Sequence, residues 1–113
     1  MSEPIRGEVW LLDLGELVGH EQGWRRPALV ISADRWNRHA QTVVVVPLTR
    51  TSHDLPTRVE LEPTAENGLH EISYARCEDV RSVSAARLVR RLGRVDVVGL
   101  AAVGRVLRIF LEI

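Results

Sequence analysis

The chain has 113 residues, with fifteen arginines, no lysine, fifteen carboxylates and a formal net charge of zero. That length suits one domain (residues 1–113) with a modest core. It excludes a membrane helix, because no run approaches the roughly 18 uninterrupted apolar residues of a span. Residues 1–8 lack the apolar core of a secretory signal, and the single Cys77 excludes an internal disulfide and a cysteine-based zinc site. A cytoplasmic protein is therefore expected. Zero net charge argues against a generic polyanion binder. The all-arginine content has two readings: composition bias, or a use for planar, bidentate phosphate contacts that lysine cannot make.

In chain order, residues 5–14 read as a strand, with Val9 and Leu11 alternating against Trp10 and Leu12. Residues 15–25 read as a loop, with Gly15, Gly19 and Gly23 and little apolar periodicity. Residues 27–32 are a continuous apolar strand, buried on both faces. Residues 33–40 are polar, with room for one helical turn. Residues 42–48 form a second buried strand, and Pro47 near its end points to an edge or a strand end. Residues 57–61 and 69–77 alternate like strands, separated by a turn at 62–68 with Pro63 and Asn67-Gly68. A short helix is expected at 84–89 and a last short strand at 92–95. Asp96 then caps a final helix. Leu100, Val103, Leu107, Phe110 and Leu111 form its apolar stripe; Ala101, Gly104, Arg105, Arg108 and Glu112 share the other face. Short strands closed by one helix predict a mainly β protein: a small, strongly bent barrel with a C-terminal helix.

Three constellations carry chemistry. The first is Gly19-His20-Glu21-Gln22 followed by Trp24-Arg25-Arg26-Pro27. Arg26 sits at the mouth of a buried strand, and Pro27 fixes the backbone beside it. The same residues also read as a solvated loop in which Arg26 pairs with Glu21, and His20 alone reads as a surface histidine. The second is Thr49-Arg50-Thr51-Ser52 after Pro47-Leu48. Hydroxyls and backbone N–H groups at a strand end suit a phosphate; a turn with side-chain caps is the alternative. The third is Tyr74-Ala75-Arg76-Cys77-Glu78-Asp79. If extended, Arg76 and Glu78 share a face about 7 Å apart, as an acid and base or as a plain ion pair.

The order and spacing of these pieces resemble the MazF/Kid/PemK toxins. The resemblance rests on Arg6-Gly7-Glu8-Val9-Trp10, Gly19-His20-Glu21-Gln22, Arg26-Pro27 through Ser32, Val45-Val46-Pro47-Leu48-Thr49, Arg76-Cys77-Glu78-Asp79-Val80-Arg81, and Arg87-Leu88 through Leu92-Gly93-Arg94-Val95. It implies an SH3-like barrel that dimerises, cleaves single-stranded messenger RNA at short motifs without a metal or other cofactor, and is held in check by a cognate antitoxin with an acidic, partly disordered tail. By resemblance, Arg26 contacts the scissile phosphate and Thr49 hydrogen-bonds it. Arg76 and Glu78 match a proposed acid and base, and His20 a supporting residue. Glu21, Gln22, Trp24, Arg25, Arg50, Thr51 and Ser52 flank these positions and are expected to bind RNA. The chain departs from the family pattern twice: the usual C-D-Q reads Cys77-Glu78-Asp79, and Arg50 stands where Thr or Ser often follows the catalytic Thr.

The implied chemistry uses the substrate's own 2′-hydroxyl as nucleophile. The enzyme takes its proton, stabilises a phosphorane and protonates the leaving 5′-oxygen, giving 2′,3′-cyclic phosphate and 5′-hydroxyl ends. An arginine is a poor acid, with a pKa above about 12, so Arg26 is expected mainly to stabilise charge. Two other classes fit the same barrel. One is a gyrase poison of the CcdB type, which depends on C-terminal aromatic and Gly residues; here Arg108 through Ile113 reads as core helix. The other is a catalytically silent barrel that binds RNA or a partner. The apolar runs at 28–31 and 43–46 and the final helix offer much apolar surface for one barrel, so a homodimer is expected.

Overall fold

The valine-rich run after residue 41 forms the central strand of the fold. The computed structural model describes residues 3–16 and 23–113. Among them the chain runs β1 (Glu8–Glu16), β2 (Gly23–Val30), α1 (Asp34–His39), β3 (Thr42–Thr49), β4 (Arg58–Leu61), β5 (Ser73–Arg76), β6 (Arg81–Ser84), β7 (Leu88–Arg94) and α2 (Val97–Leu111). Single 3-10 turns lie at Cys77–Asp79 and Ala85–Arg87. Strands pair antiparallel in the order β4-β5-β3-β2-β1-β7, with β6 against the first half of β3. The fold is mainly β with a C-terminal helix, as expected. It is barrel-like but open, because among the described residues no ladder joins β4 to β7.

Alternate side chains of the central strands enter two different cores. Val9, Leu29, Val46 and Leu48 pack with Leu61, Ala75, Cys77, Val103 and Leu107 beneath α2. Leu12, Ala28, Val30, Val43 and Val45 pack with Trp10, Val83 and Leu88 on the opposite face. Two covered faces explain why β2 and β3 read as continuous apolar runs. They also cover most of the two runs that, with the final helix, led to the expected dimer; Ile31 and Val44 are only partly buried. Ala28, Leu29, Val30, Val43, Val45 and Val46 are all fully buried within one chain. The most exposed large apolar side chains among the described residues are on α2 and just beyond it: Val97, Val98, Ile109 and Ile113 are each more than 70 % exposed.

Several expected boundaries move. Residues 15–25 are not all loop: β1 reaches Glu16 and β2 resumes at Gly23, with Asp13 opposite Arg25. Polar cross-strand partners stabilise such a pair and hide it from a search for apolar periodicity. The helix expected at 84–89 is one 3-10 turn, where Ser84 Oγ accepts from the Ala86 N–H at 3.3 Å before β7 begins. The strand expected at 69–77 shrinks to Ser73–Arg76. Pro47 is not on an edge strand. It falls between the β6 partners of β3 (Thr42–Val45) and its β5 partners (Leu48–Thr49), where the ladder changes hands. Asp96 caps α2 as expected, accepting from the Gly99 N–H at 2.7 Å. Val103 and Leu107 bury the expected stripe, but Phe110 and Leu111 stay about half exposed.

Candidate functional site

A groove of about 700 Å³ opens where the outer parts of the sheet face the segment before β5. β2 supplies Arg25, Arg26 and Pro27; the end of β3 supplies Leu48, Thr49 and, just beyond it, Arg50. Gly68 through Glu71 and Ser73 form the facing wall, and Leu11, Arg90 and Leu92 close the floor and side. Register places Arg26 opposite Leu12 on β1 and Thr49 opposite Tyr74 on β5. Both residues are thereby fixed by regular backbone pairing rather than by a loose loop. Arg26 is half-buried and Arg50 exposed. Four guanidiniums and His70 face one carboxylate, Glu71, across this lining, so the groove is electropositive although the chain is neutral.

Several polar contacts fix the described residues inside it. Thr49 Oγ1 accepts from the Thr51 N–H at 3.4 Å and lies 3.3 Å from Thr51 Oγ1. Arg50 and Glu71 form an exposed ion pair at 3.0 Å. Arg25 Nε lies 3.2 Å from Asp13 Oδ2, and the Asp13 carboxyl is held below its ordinary value by the Gly15 N–H and by Arg25. Ser52 Oγ caps the turn, accepting from the Asp54 N–H at 2.9 Å. The turn reading of residues 49–52 and the groove reading thus hold together.

Arg76 and Glu78 do not line this groove. Glu78 is not extended in line with Tyr74 and Arg76, because the strand ends at Arg76 and Cys77–Asp79 is a 3-10 turn. The pair joins a second cluster beside the groove. Thr57 Oγ1 donates to Glu78 Oε1 at 2.8 Å, and Arg58 donates through Nε to Glu78 Oε2 at 2.8 Å. Arg58 Nη2 lies 2.8 Å from the same oxygen, and Arg76 Nε lies 3.5 Å from it. Burial pushes the Glu78 carboxyl up, but the bonds from Arg58 and Thr57 and the Arg58 charge prevail and bring it down to about 2. Burial and the Glu78 charge push the Cys77 thiol up to about 11, which removes it as a nucleophile.

Thus Arg25, Arg26, Thr49 and Arg50 come together at the groove, Arg76 and Glu78 sit in the neighbouring cluster, and Thr51 touches both. His20, Glu21, Gln22 and the side chain of Trp24 lie outside the described residues. Sequence reasoning did not single out His70, Arg90, Thr57 or Arg58. Arg90 reaches the groove because β7 pairs with β1, setting Arg90 opposite Leu11. Its signal is an arginine at an alternating strand position, which fifteen arginines in one chain obscure.

Comparison with known proteins assigns this arrangement to a class. Residues 5–111 match the family of PemK-like, MazF-like toxins of type II toxin–antitoxin systems, and the chain belongs to that family. It is 36% identical over 114 residues to endoribonuclease MazF9 of Mycobacterium tuberculosis, covering 96% of each chain. It is 34% identical over 95 residues to endoribonuclease PemK of Escherichia coli, covering 83% of this chain and 71% of that one. The fold superposes on MazF of Deinococcus radiodurans with a TM-score of 0.82 at 28% identity, covering all of both chains. It superposes on a mycobacterial endoribonuclease solved with its cognate antitoxin with a TM-score of 0.81 at 28% identity, covering 97% and 96% of the two chains.

Proposed function

We propose that this toxin is an endoribonuclease that cleaves single-stranded RNA in the cytoplasm by attack of the 2′-hydroxyl on the adjacent phosphate, without a metal ion. One observation carries the reading: Arg26 and Thr49, fixed on neighbouring strands, line one electropositive groove with Arg25, Arg50 and Arg90. Guanidiniums present planar donor pairs to phosphate oxygens. Two of them and a hydroxyl, held before substrate arrives, suit the charge that grows on a phosphorane. Products are a 2′,3′-cyclic phosphate and a 5′-hydroxyl. DNA lacks the nucleophile. The cognate antitoxin, in this reading, lays an acidic tail along the same groove and competes with phosphate for its arginines, and the toxin works as a homodimer.

The Arg76–Glu78 pair has a different standing in this reading from the acid and base implied by the resemblance. A carboxylate whose two oxygens already accept from Thr57 and Arg58, and whose pKa is about 2, is a weak base at neutral pH. The test uses purified protein with single-stranded RNA in excess EDTA. The expected result is RNA cleavage with DNA of the same sequence left intact, and a loss of about 100-fold or more in folded Arg26→Ala and Thr49→Ala, as for removal of a preorganised donor. Strict dependence on an added divalent ion would overturn the metal-free step.

A further inference from the structure

We infer that Arg58 is a positioning residue: through Glu78 and the Thr51 carbonyl it clamps the turn that presents the Thr49 hydroxyl to the groove. The inference deepens the proposed RNA-cleaving reading and rests on it. The guanidinium of Arg58 is almost entirely buried, with 6% of its side chain exposed. Its donors are spent on two different segments: Nη1 donates to the Thr51 carbonyl at 2.6 Å, and Nε and Nη2 engage Glu78 Oε2 at 2.8 Å each. Thr51 in turn makes two long contacts to Thr49 Oγ1, from its N–H at 3.4 Å and from its hydroxyl at 3.3 Å. A continuous path of polar contacts therefore runs from the 3-10 turn at Glu78, through Arg58, to the hydroxyl on the groove.

The segment it holds has an unusual backbone. His53 and Asp54 both take left-handed backbone conformations, with φ of 50° and 53°. That region is sparsely populated by residues with a Cβ, although His and Asp enter it more readily than most, and two in succession gain from contacts that fix them. Within the segment itself, the Ser52 Oγ bond to the Asp54 N–H and the weak backbone contact from Leu55 N to Ser52 O at 3.3 Å support it. Arg58 adds the tie to the rigid β4–β5 pair, since Arg58 and Arg76 are register partners. Glu78 anchors the clamp: Thr57 fixes one of its oxygens and two arginines share the other. The planar fork matches this arrangement, since its opposite edges present separate donors to the Thr51 carbonyl and to Glu78.

The experiment measures kcat and KM on single-stranded RNA for the full chain and for Arg58→Met, Glu78→Gln, Arg58→Lys and the Arg58→Met/Glu78→Gln double variant. Each of the first two is expected to lower kcat about tenfold or more with KM little changed, as for a reacting group displaced by a fraction of an ångström. The double variant falls no further than the worse single, because both remove one bridge. Arg58→Lys lies between wild type and Arg58→Met. Glu78→Gln keeps the wild-type pH profile, which sets a positioning role apart from a proton-transferring one. Multiplicative losses, full kcat in both single variants, or a vanished acidic limb in Glu78→Gln would each overturn the clamp. If Arg58→Met does not fold, Arg58→Lys and Glu78→Gln decide by the same criteria. If the wild type cleaves no RNA, the functional reading fails separately. Amide exchange over Thr51–Thr57 then judges the clamp: equal acceleration in the variants supports it, and unchanged exchange overturns it.

Discussion

Burial alone makes a carboxyl harder to ionise, yet Glu78 keeps its charge deep into acid because Arg58 and Thr57 saturate its oxygens. The consequence for stability has a definite sign. With a pKa near 4.5 in the unfolded chain and about 2 in the fold, the carboxylate stabilises the native state fully above pH 4.5. That contribution fades as pH falls toward 2. The difference corresponds to about 3 kcal/mol. Urea unfolding at a series of pH values is therefore expected to show Glu78→Gln less stable than wild type at pH 7, the gap narrowing below pH 4.5. A gap of the same size at pH 7 and pH 3 would refute the linkage. The motif around Glu78 was legible in the sequence, but its partner was not. Arg58 lies twenty positions away and meets Glu78 only because β4 pairs with β5 in one register. Nothing local to residue 58 marks it among fifteen arginines. Glu8 shows the same limit. Its place in the Arg6–Trp10 motif is visible, but its use is structural: the buried carboxylate accepts from Ile5 N and Trp10 Nε1 and pairs with Arg91 at 2.6 Å.

Between elements, the facing wall of the groove depends on one close backbone approach. The turn at 62–68 was legible from Pro63 and Asn67-Gly68, and Asn67 folds it, accepting from Thr64 N and Leu69 N at 3.0 Å each and donating to Glu62 O. What the turn packs against was not legible, because it is a strand twenty-odd residues later. A Cβ on Gly68, which has φ +71°, would meet the Leu92 carbonyl oxygen at 2.1 Å; one on Gly93 would meet the Glu66 carbonyl oxygen at 2.3 Å. The Arg94 N–H donates to Glu66 O at 2.8 Å across the same contact. Neither neighbour is a flexible side-chain tip, so Gly93→Ala must push the turn and the strand apart. The expected cost is about 3 kcal/mol, the top of the overpacking range, read by urea unfolding. Cleavage at a temperature where the variant stays folded should also drop, because Gly68, Leu69 and His70 carry the wall. A variant as stable as wild type would mean that the turn moves freely without the strand. Long apolar strands and the capped helix were visible in the sequence because period and cap are local; the start of β7 and the ends of β1 and β2 were missed because arginines and glycine interrupt the apolar alternation there.

Over the whole molecule, neutrality is spatial division rather than absence of charge. The groove with Arg26 presents four arginines against one carboxylate, whereas a second groove of about 800 Å³ beside the start of α2 sets Glu60, Glu62, Glu66 and Asp96 against Arg94. Such separation orients a polyanion toward one side of the protein. The homodimer proposed above would draw on a different surface. With most of the β2 and β3 side chains covered within one chain, the end of α2 is the candidate, where Ile109 and, just beyond the helix, Ile113 are 72% and 78% exposed. Ile109 and Ile113, four residues apart, line one shallow surface at this end of the chain and form an exposed apolar patch. Burying it twice over, by an isologous contact in which each copy offers the same patch, is the simplest closed arrangement. Light scattering at micromolar concentration is expected to give the mass of two chains, and Ile109→Glu with Ile113→Glu to give the mass of one. None of these residues lines the arginine groove, so RNA cleavage lost in the double variant would trace to dissociation rather than to damage at the groove. A monomeric wild type would end the dimer reading, and a dimer that survives both substitutions would move the interface off this helix.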